Sequence, residues 1–294
     1  MKTNQQRIID SHQHFWDLDR FQYKWMPSGP SILRRNYLPE DILPEIHENN
    51  VSGTILVEAH SSDEESDLML TWAEQYDFIA GVICWADLTS KRLTERLEIL
   101  QSWKKFVGIR HQIESEPDDS WILREPVIEG LKQLARMDIP FDLVVFPRHL
   151  RFVPQLSQRI PTLKLVLDHM GKPPIVNQEF ESWASDIRKI AEIPTIHCKV
   201  SGLVTEADHA TWSVAQLRPY IQFVLDQFGA DRLMWGSDWP VCLKAASYQE
   251  VLQAFLESVG DLNDSDQAAL LGRNATTFYV LKETPGSLKE SPHE

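Results

Sequence analysis

Cysteine is scarce here: Cys84, Cys198 and Cys242 are the whole complement in 294 residues, and none belongs to a CxxC pair. Three thiols cannot close a disulfide framework, so a stapled secreted scaffold is excluded and a reducing compartment is expected. No run approaches the roughly 18 uninterrupted apolar residues of a membrane helix, so no membrane partner is expected. Residues 1–6 are polar, and Asp10 and His12 interrupt the first apolar stretch at once, unlike a signal-peptide core. The cytoplasm is the expected location. Positive charge is also short: 29 Lys and Arg stand against 43 Asp and Glu, a net of −14. That balance excludes nucleic acid, because phosphate binding draws on clustered basic side chains.

What is present is a rhythm. Runs rich in Ile, Val and Leu fall at 7–15, 53–60, 78–87, 105–113, 140–146, 163–171, 195–203 and 232–240. They lack strict polar alternation, as strands buried on both faces do. Helix candidates lie between them: after Pro39, after a cap at Ser62 or Asp63, and after a cap at Thr89 or Ser90. Others fall near 125–137, 148–159, 179–192, 209–228 and 247–259. Strand and helix alternating in this way predict an α/β fold, a (β/α)8 TIM barrel, as one domain over 1–281. A doubly wound sheet is the competing arrangement, but neither a GxGxxG nor a Walker sequence gives it a phosphate site. The polar stretch 282–294 reads as a disordered tail. The 16–38 segment is long for a βα loop, and its aromatic content points to function.

Catalytic groups of such barrels sit at the C-terminal ends of strands. Polar residues concentrate there in this sequence: Asp10, His12 and His14 on the first, and Glu58 and His60 on the second. Arg110 and His111 end the fourth, Asp168 and His169 the sixth, Lys199 and Ser201 the seventh, and Ser237 and Asp238 the eighth. His12 and His14 have the i, i+2 spacing that places two side chains on one strand face, where imidazoles can chelate a metal such as zinc. A lone strand histidine is more often a satisfied core residue; the pair, with His169 and Asp238 on later strands, reverses that balance.

Asp238 could hold a metal or accept a proton from water, or else cap a turn before Pro240. Arg110 has a planar fork suited to a carboxylate or polarised carbonyl, or to a salt bridge. Lys199 reads equally as a substrate contact or a buried ion pair. His60 and His111 read as structural, since alternation turns His111 away from Arg110. Trp16, Trp25, Trp85 and Trp239 fall at or beyond strand ends, and two of the four are expected to line a pocket. Trp16, Trp25 and Trp85 are the candidate substrate contacts.

DSHQHFW (10–16), GIRH (108–111), DHMGKP (168–173), KVSGL (199–203), MWGSDWP (234–240) and LLGRNATTFY (270–279) occur in this order. As a set they resemble the amidohydrolase superfamily, in its branch of sugar-lactone and pyrone-dicarboxylate lactonases. The resemblance spans residues 7 to about 281. It implies a metallo-dependent-hydrolase barrel that opens the ring of a small carboxylated or polyhydroxylated lactone. It makes Asp238 the general base, with His12, His14 and His169 holding a metal or orienting the carbonyl, His169 itself catalytic, and Arg110 on the substrate. Arg110 and His111 stand where a carboxylated lysine or glutamate would bridge two metals. The resemblance therefore implies one divalent ion, zinc by preference, or catalysis without metal. Other amidohydrolase-type hydrolysis, decarboxylation of a small acid, and a non-catalytic sugar-acid-binding barrel are the alternatives on the same scaffold.

Overall fold

Eight strands follow one another in a computed structural model that describes residues 7–282. They are β1 (Ile8–Gln13), β2 (Val51–Val57), β3 (Ile79–Cys84), β4 (Phe106–Gln112), β5 (Phe141–Val144), β6 (Leu165–Leu167), β7 (Ile196–Val200) and β8 (Leu233–Trp235). Each pairs in parallel with the next, so the spatial order equals the chain order, β1 to β8. Closure comes from the segment after β8. Asp238 N–H donates to the His12 carbonyl at 2.8 Å, and His14 N–H donates to the Trp239 carbonyl at 2.7 Å. This is the (β/α)8 barrel that the alternating pattern predicts.

Helices fill the crossovers: α1 (Leu43–Glu48), α2 (Asp63–Gln75), α3 (Leu93–Gln101), α4 (Glu125–Arg136), α5 (Pro147–Leu150), α6 (Val153–Arg159) and α7 (Phe180–Ala191). After β7 come α8 (Leu203–Glu206) and α9 (Val214–Phe228), and after β8 come α10 (Tyr248–Val259), α11 (Asp264–Ala268) and α12 (Asn274–Phe278). Ser62 caps α2 as expected, its Oγ accepting from Glu65 N–H at 3.1 Å. Three expectations shift. Pro39 opens a 3-10 turn, Pro39–Ile42, and α1 starts only at Leu43. Thr89 and Ser90 do not cap α3; it starts at Leu93, three residues beyond Ser90, whose Oγ accepts from Arg92 N–H. The 209–228 stretch is helical only from Val214, where Ser213 and Gln216 form a capping box. No helix of the described residues is long and apolar enough to cross a membrane. Of the tail expected at 282–294, residues 283–294 lie outside the described ones.

The barrel interior is layered, and the layering positions the site. At the bottom, Ile9, Ile55, Ile83 and Met234 pack with Ala275, Phe278 and Tyr279 from the C-terminal helix. Above them lies a belt of buried charge: Arg110, Asp142 and Lys199. The mouth carries His14, His169 and Asp238, with His12 and Asp168 fully buried beside them. Strict alternation would send Ile9 and His12 to opposite faces. Register breaks in β1 at Ile8/Ile9 and between Asp10 and Gln13 let both reach the interior.

Candidate active site

The site is assembled where β1 meets the segment after β8. Asp10 is the fastener: its carboxylate accepts from Ser237 N–H at 2.9 Å, His12 N–H at 3.1 Å and the Tyr248 hydroxyl at 2.9 Å. Asp238, in the left-handed region at φ 58°, then turns its carboxylate over β1. Its Oδ1 lies 3.4 Å from His14 Nε2 and 3.9 Å from His12 Nε2, and those two nitrogens are 3.1 Å apart. His169 completes the group, its ring centroid 4.5 Å from that of His12 and its Nδ1 2.9 Å from Ser201 Oγ. Gly202 is required beside it. At φ +68°, a Cβ there would stand 2.7 Å from His169 Nδ1 and 3.2 Å from Asp238 Oδ2.

The electrostatics separate the groups. Burial would raise the Asp238 carboxyl, but the surrounding imidazoles, His169 first and then His14 and His12, hold it well below the usual carboxylate range. Asp168, equally buried, is held low by Lys199, His12 and Arg110. Burial pushes His12 and His169 down, outweighing the carboxylates beside them, so both are neutral near pH 7. Two ionised carboxylates beside the neutral imidazoles of His12 and His169 give a site rich in acceptors.

That donor set suits a metal ion. His14 Nδ1 faces the Val57 carbonyl at 2.8 Å, which only accepts, so the proton sits there and Nε2 is the free donor nitrogen. On His12, Asp168 lies 3.4 Å from Nδ1, while an Arg110 N–H points at Nε2 from 3.3 Å. Arginine cannot give up its proton, so the Nε2 lone pair of His12 is turned to Arg110, and an ion would have to displace that contact. On the other nitrogen, Asp168 and the Lys199 ammonium, also 3.4 Å away, compete for Nδ1. Two lone pairs and a carboxylate oxygen then converge with separations of 3.1, 3.4 and 3.9 Å. Donors at these spacings suit an ion with bonds of about 2.0–2.2 Å, and each imidazole has the outer partner that metal-bound histidines carry. His12 is shared with a second group, His12, Asp168 and His169.

Above these residues opens a cavity of about 330 Å³, a size suited to a small molecule. Comparison with known proteins places the chain: residues 9–281 match the amidohydrolase family. The chain belongs to that family. An L-fucono-1,5-lactonase from Burkholderia ambifaria is 35% identical over 283 residues, covering 95% of this chain and 97% of the relative. The structure of an amidohydrolase from Burkholderia multivorans with bound zinc is 36% identical, with a TM-score of 0.87 over 94% of this chain and 100% of that one. A probable 2-pyrone-4,6-dicarboxylic acid hydrolase from Acinetobacter baumannii, 20% identical with a TM-score of 0.76 over 94% of this chain and 100% of that one, shares the fold.

In this amidohydrolase, His14, His169, Asp238, Arg110 and Trp25 line the cavity, whereas Trp16, Trp85 and Lys199 do not. The 16–38 loop folds inward so that Trp16 is fully buried, its indole N–H on the Arg35 carbonyl at 2.8 Å. Trp85 donates to His111 Nδ1 at 3.1 Å and stays outside the mouth. Of the four tryptophans at strand ends, Trp25 alone reaches the cavity, since Trp239 packs against Phe15 and Tyr37. His111 is structural as expected, stacked 4.1 Å from Trp121, and His60 packs against Phe21 and Tyr23. Arg110 makes the salt bridges that are one of its two readings, to Glu58 at 3.0 Å and Asp168 at 3.3 Å, and also lines the cavity.

Lys199 is the buried ion pair. It stands two residues short of Ser201, one layer down, bonded to Asp142 and 3.2 Å from Asp168. Tyr279 OH donates to the same Asp142 at 2.8 Å. Removing the cation leaves two buried carboxylates short of a partner. Lys199→Met is therefore expected to destabilise the fold by about 3–5 kcal/mol. Urea denaturation checks this, and an unchanged midpoint would contradict it.

Glu65 supports the cavity wall from behind. Its Oε2 accepts from Ala59 N–H at 2.9 Å and His60 N–H at 2.7 Å, and the Ala59 carbonyl receives the Trp25 indole at 2.7 Å. Burial and then Glu58 push its carboxyl from 4.5 up to about 8. The folded protein thus keeps a proton that the unfolded chain releases, so this group's stability is full below pH 4.5 and is lost as pH rises through 8. Glu65→Gln is expected to gain stability over the parent by roughly 3–4 kcal/mol more at pH 8 than at pH 5. Melting temperatures across that range decide it; an equal offset at both ends would show that Glu65 does not titrate there.

Proposed function

We propose that this amidohydrolase opens the ring of a sugar-acid 1,5-lactone, L-fucono-1,5-lactone or a near relative, by attack of water on the lactone carbonyl. One observation carries the reading: an ionised Asp238 among three imidazoles at the floor of a small cavity, in a chain 35% identical to an L-fucono-1,5-lactonase. Asp238 Oδ2, on the side of Gly202, is placed to take a proton from water as its oxygen bonds to the carbonyl carbon. The tetrahedral intermediate collapses by breaking the bond to the ring oxygen, and the same proton passes to that alkoxide to give the hydroxy acid. Arg110, whose charge is secured by Glu58 and Asp168, and His169 border the space where negative charge develops on the carbonyl oxygen. Trp25 offers an aromatic face to the sugar ring. His12, His14 and Asp238 Oδ1 would hold a divalent ion, zinc in this reading, which when bound polarises the carbonyl or acidifies the water.

The product acid ionises at neutral pH, so a pH indicator follows turnover of a lactone panel. L-fucono-1,5-lactone is expected to open far faster than it does spontaneously, and bare aromatic acids to stay intact. Zinc-replete protein that decarboxylates an aromatic acid, seen by ultraviolet absorbance, while leaving every lactone at its spontaneous rate would replace this reading with a decarboxylase.

A further inference from the structure

Two charged groups in the cavity are left without partners. Glu206 ends α8, and Lys244 ends the turn Val241–Lys244 after Asp238; the two elements pack together and both residues line the cavity. Every other charged side chain facing that space is committed: Arg110 to Glu58 and Asp168, Lys172 to Glu114, and Asp238 to its cluster with His12 and His14. Neither Glu206 nor Lys244 makes a side-chain hydrogen bond, or an ion pair within 4 Å, in the described structure. Burial raises the Glu206 carboxyl, and Lys172 and Lys244 pull it back, so it is a shielded acceptor with no donor. Such a group stays partly desolvated and unpaired until a ligand supplies the hydrogen bond.

Resting on the lactonase reading, we propose that Glu206 and Lys244 read the ring hydroxyls of the substrate and select polyhydroxylated lactones. The chemistry is complementary. A carboxylate only accepts and an ammonium only donates, while each hydroxyl does both, so neighbouring hydroxyls satisfy the two at once. The placement agrees: Glu206 lies four residues beyond Gly202, roughly 6 Å along a helix from the residue abutting His169 and Asp238. That matches a ring substituent rather than the carbonyl. A dicarboxylate lactone would meet Lys172 and Lys244 but would oppose Glu206 and Glu114, so the pair also favours a neutral sugar ring over a diacid.

The test compares kcat/KM on L-fucono-1,5-lactone with that on δ-valerolactone, the unsubstituted six-membered ring, in the zinc-replete full chain. In Glu206→Ala and in Lys244→Met the preference for the sugar lactone is expected to fall about 10- to 100-fold, chiefly through KM, with Glu206→Gln intermediate. Equal losses on both lactones, or no loss on either, would overturn the assignment, the first making the pair structural support. If the parent hydrolyses neither lactone, the lactonase reading fails by itself. Calorimetric titration of L-fuconate then decides the pair: weaker binding in Glu206→Ala upholds hydroxyl reading, and unchanged binding removes it.

Discussion

Asp238→Asn is expected to lower kcat on a sugar lactone by about 10²- to 10⁴-fold while the protein stays folded. The substitution is nearly isosteric, and asparagine tolerates the left-handed backbone that residue 238 adopts at φ 58°. The bond from the residue 238 N–H to the His12 carbonyl, 2.8 Å long, belongs to the main chain and survives. What disappears is the charge. An amide cannot take the proton of water, and it offers His14 and His12 a neutral oxygen where they now face an ionised one. The indicator assay measures kcat and near-ultraviolet circular dichroism checks the fold. A variant retaining more than about a tenth of the parent rate would remove Asp238 from proton transfer.

The residues that meet at the barrel mouth were legible because this fold converts chain position into spatial position. His12, His14, His169 and Asp238 stand immediately after or at the end of β-branched runs, and the barrel brings those ends together. Depth was harder to read. Lys199 is only two residues before Ser201, but at about 3.3 Å per strand residue that is a full layer, enough to turn a mouth residue into a buried ion pair. Trp16 and Trp85 failed for another reason: where a loop folds depends on partners distant in sequence, such as Arg35 for Trp16 and His111 for Trp85. The preference of indole for a polar partner at one end says nothing about which end faces the ligand.

Other members of the site carried no sequence signal of their own. Glu58 stood among the strand-end residues, yet its role in anchoring Arg110 needs β2 and β4, which flank β3, to turn the two side chains toward each other. Glu206 and Lys244 fall in the gaps between the strand candidates 195–203 and 232–240 and the helix candidates that follow them. Their importance lies in having no partner, which only three-dimensional packing reveals. Lys172 was inside DHMGKP, but its bond to Glu114 across the cavity is likewise a property of the folded chain.

His14→Ala and His12→Ala are each expected to purify with less than about a tenth of the divalent metal carried by the parent. Chelation requires all donors at once, and each of these histidines contributes an Nε2 to the converging group with Asp238. The outer partners make a graded prediction. His14 is oriented by the Val57 carbonyl, a main-chain group, but His12 is oriented by the Asp168 side chain at 3.4 Å. Asp168→Asn should therefore weaken metal binding about 10- to 100-fold without abolishing it, the range typical of second-layer partners. It also removes an anion from Arg110, leaving Glu58 as the carboxylate partner of that side chain. Elemental analysis after dialysis, with competition against a chelator of known affinity, orders the three variants. The expected order is parent, Asp168→Asn, then the two histidine variants. Equal metal content in His14→Ala and the parent would exclude this cluster as the metal site. Full turnover by a parent stripped of metal would assign the two imidazoles to hydrogen bonding with the lactone instead, and added zinc should then fail to stimulate.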